Sequence, residues 1–314
     1  MKVLVRVIAP GCKVEPYIGQ HLSVQPVIVQ EHVDGFEAEL SAVTNWRSLS
    51  LAADRAGVLA LGVIDLVLRW PLSDVHLRIE LDGKAAQKPR DISRWQPYEW
   101  VPVFSWGGSL TPTVATVSDN GLCRIERLWC ASISAPLTSL DALLGPLAEA
   151  SSAAEATNPY DRVRALWSAL ELLYPRMGEL RRIDAILGQS PSFAQVEEAR
   201  GSKPYRRLLG YRGRLARDPW LYLPVRSALL TEPSTAIERV RVATVVSYAI
   251  RCKIAHGQWA RNRDDRRLEA GAAERWLWQL LEREVEIRLA GSRLDPIRAL
   301  GTIRFGGQSP SRTS

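Results

Sequence analysis

The spacing of the apolar residues changes near residue 150, and that change limits what the chain can fold into. Before it, short β-branched runs alternate with turn signals. The runs are "KVLVRVI", "LSVQPVIVQ", "VHLRIEL", "TPTVATV" and "CRIERLWCASIS", and the turns are "APG", "DG" and "SDNG". A period of two bounded by Gly, Asp and Asn predicts strands. "SLSLAADRAGVLALGVIDLVLRW" suits either a helix or buried strands, and its Val, Ile, Leu and Gly content favours strands after Gly57. Six of the eleven tryptophans lie in this half: Trp46, Trp70, Trp95, Trp100, Trp106 and Trp129. The cluster "RWQPYEWVPVFSW" has two readings, the filled seam of a β-sandwich, which is favoured, or an aromatic binding surface.

After the change, the period is helical. "SLDALLGPLAEASSAAEATNP" starts as a short helix and ends in small polar residues, which places a domain junction near residue 150. Asn158 then offers an N-cap, Pro159 a first helical residue and Asp161 a first-turn acid. Val163, Leu166, Trp167, Leu170, Leu173 and Tyr174 follow at helical spacing until Pro175. Shorter helical pieces occupy about 177–230, including "KPYRRLLGYRGRLAR". A long helix is expected from about Ser234 to His256, with Ile237, Val240, Val242, Val245, Val246, Ala249 and Ile250 as its apolar content. A last one is expected from about Asp265 to Ala290, with Leu268, Ala272, Trp276, Leu277, Leu280, Leu281, Val285 and Leu289 on its stripe. The expected fold is therefore α+β in two domains. A β-rich, sandwich-like domain spans 1–140, a linker 141–156 and an all-α bundle 157–290, and 291–314 forms a mostly disordered tail.

The 314 residues, 46% hydrophobic, suffice for a sizeable core. No stretch of about eighteen apolar residues is free of charge, so no transmembrane helix is expected. "MKVLVRVIAPG" reads as a first strand rather than a signal peptide. Cys12, Cys123, Cys130 and Cys252 are scattered without a CxxC, which fits a reduced, cytoplasmic setting. HExxH, Walker and GxGxxG motifs are absent, as is any His, Cys and carboxylate cluster with metal-ligand spacing, so neither cofactor nor metal is expected.

The net charge of +7 is unevenly placed. Residues 1–150 carry 13 basic and 16 acidic side chains, and residues 151–314 carry 28 basic and 18 acidic ones. Nearly all the excess is Arg, whose planar fork of donors suits phosphate. This points to an acidic partner for the second half, nucleic acid first, or to Arg used simply as a helix-surface residue.

Within that half, "SYAIRCKIAHGQW" holds Arg251 and, five positions on, His256, the only histidine after residue 150. A histidine titrates near neutral pH and serves as general acid or base. An arginine keeps its charge and stabilises phosphoryl oxygens. These two residue types suffice for metal-free RNA cleavage, in which the 2′-OH attacks its own phosphate and leaves a 2′,3′-cyclic phosphate. The spacing also fits a plain helix end, with Gly257 at C′ and His256 beside the last carbonyls. On an ideal helix, positions five apart diverge by about 140°, so the two side chains meet through a loosened last turn, through the long Arg side chain curling round the helix, or through two copies meeting across a dimer.

"YAIRCKIAHG" resembles the RxxxxHG signature of HEPN domains, small all-helical modules of many prokaryotic RNases. "YDRVRALWSALELLYP" resembles the first long helix of the Apea-like HEPN branch, with its WxALE pattern. With the closing helix, the resemblance covers roughly residues 155–290. It implies a homodimer that brings both Arg–His pairs into one cleft, Arg251 on the phosphate and His256 in acid/base work. It implies a metal-independent endoribonuclease acting on single-stranded RNA or tRNA, in anti-phage defence or toxin-like growth arrest. The N-terminal domain would then answer to a regulatory ligand or partner protein. Glu171 matches the acidic residue of the family's first helix, with a role in orienting the motif or at the surface. Cys252 stands where the family commonly has Asn or another polar residue, a departure that favours a non-cutting alternative, an RNA- or nucleotide-binding dimer. A third reading is a sensor or scaffold subunit of a larger complex, with the β domain as the working part and the helices as a dimeriser. Lys253 either adds charge to the cleft or is solvated.

Beyond the motif, Trp259 lies among Arg261, Arg263, Arg266 and Arg267. Basic groups beside an aromatic ring suit a single strand, and the other reading packs Trp259 on the core with Asp264 and Asp265 pairing the arginines. Arg206, Arg207, Arg212 and Arg214 offer a second basic patch.

Overall fold

The computed structural model describes residues 1–10, 12–29, 33–46, 49–68, 76–86, 115–117, 119–188, 203–257 and 264–290. Eight strands and nine helices occupy them, and the chain is mixed α/β and mostly helical. Strands β1 (Lys2–Pro10), β3 (Tyr17–Ile18), β4 (Leu22–Val29), β5 (Val33–Val43), β6 (His76–Leu81) and β7 (Lys84–Ala85) form one antiparallel sheet in the order β3-β4-β5-β1-β6-β7. Strands β2 (Cys12–Val14) and β8 (Ala115–Val117) make a separate parallel pair.

Side chains alternate through the sheet as a half-buried pattern requires. Val3, Val5 and Val7 of β1, Phe36, Ala38 and Leu40 of β5, and Leu77, Ile79 and Leu81 of β6 are buried on one face. The other face is polar, with Arg6 donating to Glu39 at 2.8 Å and Gln25 to Glu37 at 2.7 Å across neighbouring strands. Helices α1 (Leu49–Leu68) and α2 (Asp119–Ser134) cover the apolar face. Among the described residues, the expected sandwich is thus corrected to a six-stranded antiparallel sheet layered on helices, with the β2–β8 pair beside it.

Two segments expected as strands are these helices. Helix α1 replaces the strands expected after Gly57, and "CRIERLWCASIS" lies within α2. The span expected as a linker is also helical, since α3 runs from Leu137 to Glu155 and packs on α1 and on α4 (Pro159–Leu173). Its small residues Ala150, Ala153 and Ala154 are buried. One contiguous apolar cluster therefore extends from Val3 to Leu289. The cluster "RWQPYEWVPVFSW" and the tail 291–314 lie outside the described residues, while Trp46 and Trp129 are buried.

The remaining helices are α5 (Glu179–Gly188), α6 (Lys203–Ala216), α7 (Leu223–Leu230), α8 (Ala236–Ala255) and α9 (Asp264–Ala290). The start of α4 is as expected: Asn158 Oδ1 accepts from the N–H groups of Tyr160 and Asp161, both at 3.0 Å. Helix α8 is central and touches α4, α5, α6, α7 and α9. It is buried on nearly all sides, so its small polar residues bond inward: Thr244 and Ser247 donate to carbonyls one turn back, and Trp276 of α9 donates to Thr244 at 3.0 Å. Ile237 and Leu268, expected on apolar stripes, are instead exposed near the starts of α8 and α9. No helix among the described residues is long and apolar enough to cross a membrane.

Candidate functional site

The site is assembled on the last turn of α8. A capping box starts this helix, with Thr235 Oγ1 accepting from Glu238 N–H and the Glu238 carboxylate accepting from Thr235 N–H. At its other end, the N–H of His256 donates to the Cys252 carbonyl at 3.0 Å, and Gly257 follows at φ +65°, a conformation that suits only Gly without cost. His256 is thus the C-cap residue, and it is exposed.

Arg251 points the other way, toward α4. Its Nη2 lies 3.5 Å from Glu171 Oε1. The same oxygen is 3.8 Å from Nη1 of Arg182, a nearly buried residue of α5. Arg182 also pairs with Glu179 and donates to the carbonyls of Tyr174 and Met177 at 3.3 and 2.9 Å. Glu171 is therefore in contact with Arg251, the geometry that the first of its two expected roles requires. One turn away, the ring of Trp167 packs on that of Tyr248 with centroids 5.1 Å apart. Two residue pairs, Trp167–Tyr248 and Glu171–Arg251, thus fix α4 against α8, each helix using one face with i, i+3 or i, i+4 spacing.

Cys252 turns inward. It is 9% exposed, and burial pushes its thiol up, although Tyr248 and Arg251 pull the other way. Burial also raises the Tyr248 phenol. Lys253 is partly exposed, and its ammonium is paired with Asp218. Burial pushes the Asp218 carboxyl up, but hydrogen bonds from Lys253 and the Trp220 N–H outweigh it and hold it below the usual range.

The basic residues around the motif are spread out. Arg266 is half-buried and Arg267 exposed, both near the start of α9, while Trp259, Arg261 and Arg263 lie outside the described residues. In the second expected patch, Arg206 and Arg207 are exposed, Arg212 pairs with Glu232, and Arg214 pairs with the buried Glu269.

The structure brings Arg214, Lys253 and Arg266, expected in separate groups, together with residues that the sequence did not single out. An open groove of about 390 Å³ lies beside the end of α8, lined by Arg214, Arg217, Asp218, Trp220, Lys253 and Arg266. Trp220 is 73% exposed. The "RDPW" turn was the available signal, but sequence does not separate a displayed indole from a buried one. Among the described residues, no three His, Cys, Asp or Glu gather as a metal site.

Comparison of the chain with protein-family models, with curated proteins and with solved structures finds no match.

Proposed function

We propose that this chain is a metal-independent endoribonuclease of the HEPN type, working as a homodimer. The observation that carries the reading is the pairing of Arg251 with Glu171. It joins the RxxxxHG helix to the WxALE helix through the residues that define each motif. The Arg251 contact with Glu171 is at the limit of hydrogen-bond length, and Arg251 also bonds the Cys252 thiol, so a guanidinium with five N–H donors keeps others for a phosphate.

In the dimer, Arg251 holds the scissile phosphate and stabilises the charge that builds on its oxygens. His256 of one protomer takes the proton from the 2′-OH, whose oxygen forms a bond to phosphorus. The bond from phosphorus to the 5′-oxygen breaks, and His256 of the other protomer protonates that leaving oxygen. The products are a 2′,3′-cyclic phosphate and a 5′-OH. Because Arg251 and His256 diverge around one helix, the second copy completes the site. The sheet domain would answer to a regulatory ligand or partner, in the anti-phage or growth-arrest setting the resemblance implies.

Burial of Cys252 favours a second reading, a dimer that binds RNA without cutting it, because that position offers no polar group to substrate. Incubation with an RNA and the matching DNA in excess EDTA tests the proposal. Cleavage of the RNA alone is expected. Cleavage of both, or of neither, overturns it.

A further inference from the structure

Trp220 is displayed by a turn that is firmly held. Asp218 Oδ1 accepts from the Trp220 N–H at 3.1 Å, the Asp218 carbonyl accepts from Leu221 N–H at 3.3 Å, and Leu221 is buried in the core. Asp218 is also paired with Lys253, which ties the turn to the last turn of α8. The turn therefore holds the Trp220 ring in an exposed position. Around it stand Arg214, Arg217, Lys253 and Arg266, against the carboxylates of Asp218 and of Glu269 paired with Arg214. Arg214 and Lys253 are each paired with one of these carboxylates, and three of the four cations are planar guanidinium groups. An acidic peptide would use the cations and leave the indole idle. A single-stranded nucleic acid uses both, phosphates on the arginines and a base on the ring.

We propose that this groove binds single-stranded RNA, with backbone phosphates on Arg214 and Arg217 and one base stacked on Trp220, and delivers the strand to His256. The inference rests on the nuclease reading for its destination. Lys253, in the groove wall, and His256 are three residues apart on α8, about 60° around the axis, so groove and histidine occupy neighbouring faces.

The test uses the full chain and a fluorescein-labelled, twelve-nucleotide, 2′-O-methyl oligouridine, which cannot be cut, with anisotropy read across a salt series. Trp220→Ala is expected to weaken binding by about 5- to 100-fold with an unchanged salt slope. Trp220→Phe is expected to keep most of the affinity. Arg217→Ala is expected to weaken binding and flatten the slope by about 0.7, the value for one phosphate contact on a single strand. Because Trp220 and Arg217 are exposed, these variants leave the core intact. Wild-type binding by Trp220→Ala overturns the proposal, as does loss confined to Arg217→Ala. Parallel assays on unmodified RNA separate the two claims. Cleavage indifferent to Trp220 overturns the groove and leaves the nuclease standing. Trp220-dependent binding without cleavage supports the groove and overturns the nuclease.

Discussion

Glu171 and Arg251, eighty residues apart in sequence, meet at 3.5 Å, and the same Glu171 oxygen faces Arg182 at 3.8 Å. The motif arginine is therefore held by a carboxylate shared with a second guanidinium. Removing that carboxylate's charge by Glu171→Gln leaves Arg251 present but less well aimed. RNA cleavage is expected to fall about ten- to a hundredfold, mostly in kcat. Both side chains keep about a quarter of their exposure, so stability is expected to change by no more than about 1 kcal/mol. Single-turnover kinetics and urea melts on the same variant check both statements.

Arg182 is a different case because it is nearly buried. Arg182→Met strands Glu179, half the support of Glu171 and the carbonyls of Tyr174 and Met177. The expected loss is about 3 kcal/mol, at the low end for a broken buried pair because both carboxylates retain solvent. Chemical denaturation checks it, and an unchanged midpoint would mean the network is not holding α5 to α4.

The capping box gives a pH dependence of known sign. The Ser234 hydroxyl first, then the N–H groups of Ser234 and Thr235, hold the Glu238 carboxyl at about 2. A depressed carboxyl contributes stability that is complete above its unfolded value of about 4.3 and is lost as pH falls through its folded value. The stability difference between wild type and Glu238→Gln is therefore expected to be flat above about pH 5 and to shrink toward about pH 2. Urea melts across that range measure it, and a constant difference would contradict it.

Much of the bundle was legible because its helices carry local signals. Asn158, Pro159 and the apolar period gave α4, and Gly257 gave the end of α8. The first half was harder for physical reasons. Helix α1 lies between the sheet and α3, so from Ala56 onward it is apolar on nearly every side except at the buried Asp65, and carries little period to distinguish it from buried strands. In α2, Leu122, Ile125, Leu128, Trp129 and Ile133 do recur at helical spacing, but interleaved charges mimic strand alternation. The alanines of α3 resembled a linker, although small residues are what a close helix pair requires. At the candidate site, Arg251, His256 and Glu171 were named from the sequence as candidates, whereas the Lys253–Asp218 pair and the exposure of Trp220 depend on how distant segments meet.

The α1–α3 contact can be tested directly. A Cβ added at Gly62 would meet the Leu147 Cβ at 2.6 Å, closer than packed side chains approach. Gly62→Ala is expected to cost about 1–3 kcal/mol, despite the better helix propensity of alanine. A neutral or stabilising result in thermal melts would show that α1 and α3 do not pack as described.

The most direct measurement is the chemistry of the cut end. Full-length wild type, Arg251→Ala and His256→Ala are incubated with a defined RNA in excess EDTA, and the fragments are weighed by mass spectrometry. The expected result is 2′,3′-cyclic phosphate and 5′-OH ends from the wild type and intact RNA from both variants. Intact RNA from the wild type, ends of another kind, or equal cutting by His256→Ala would contradict the assignment of Arg251 and His256 as the catalytic pair.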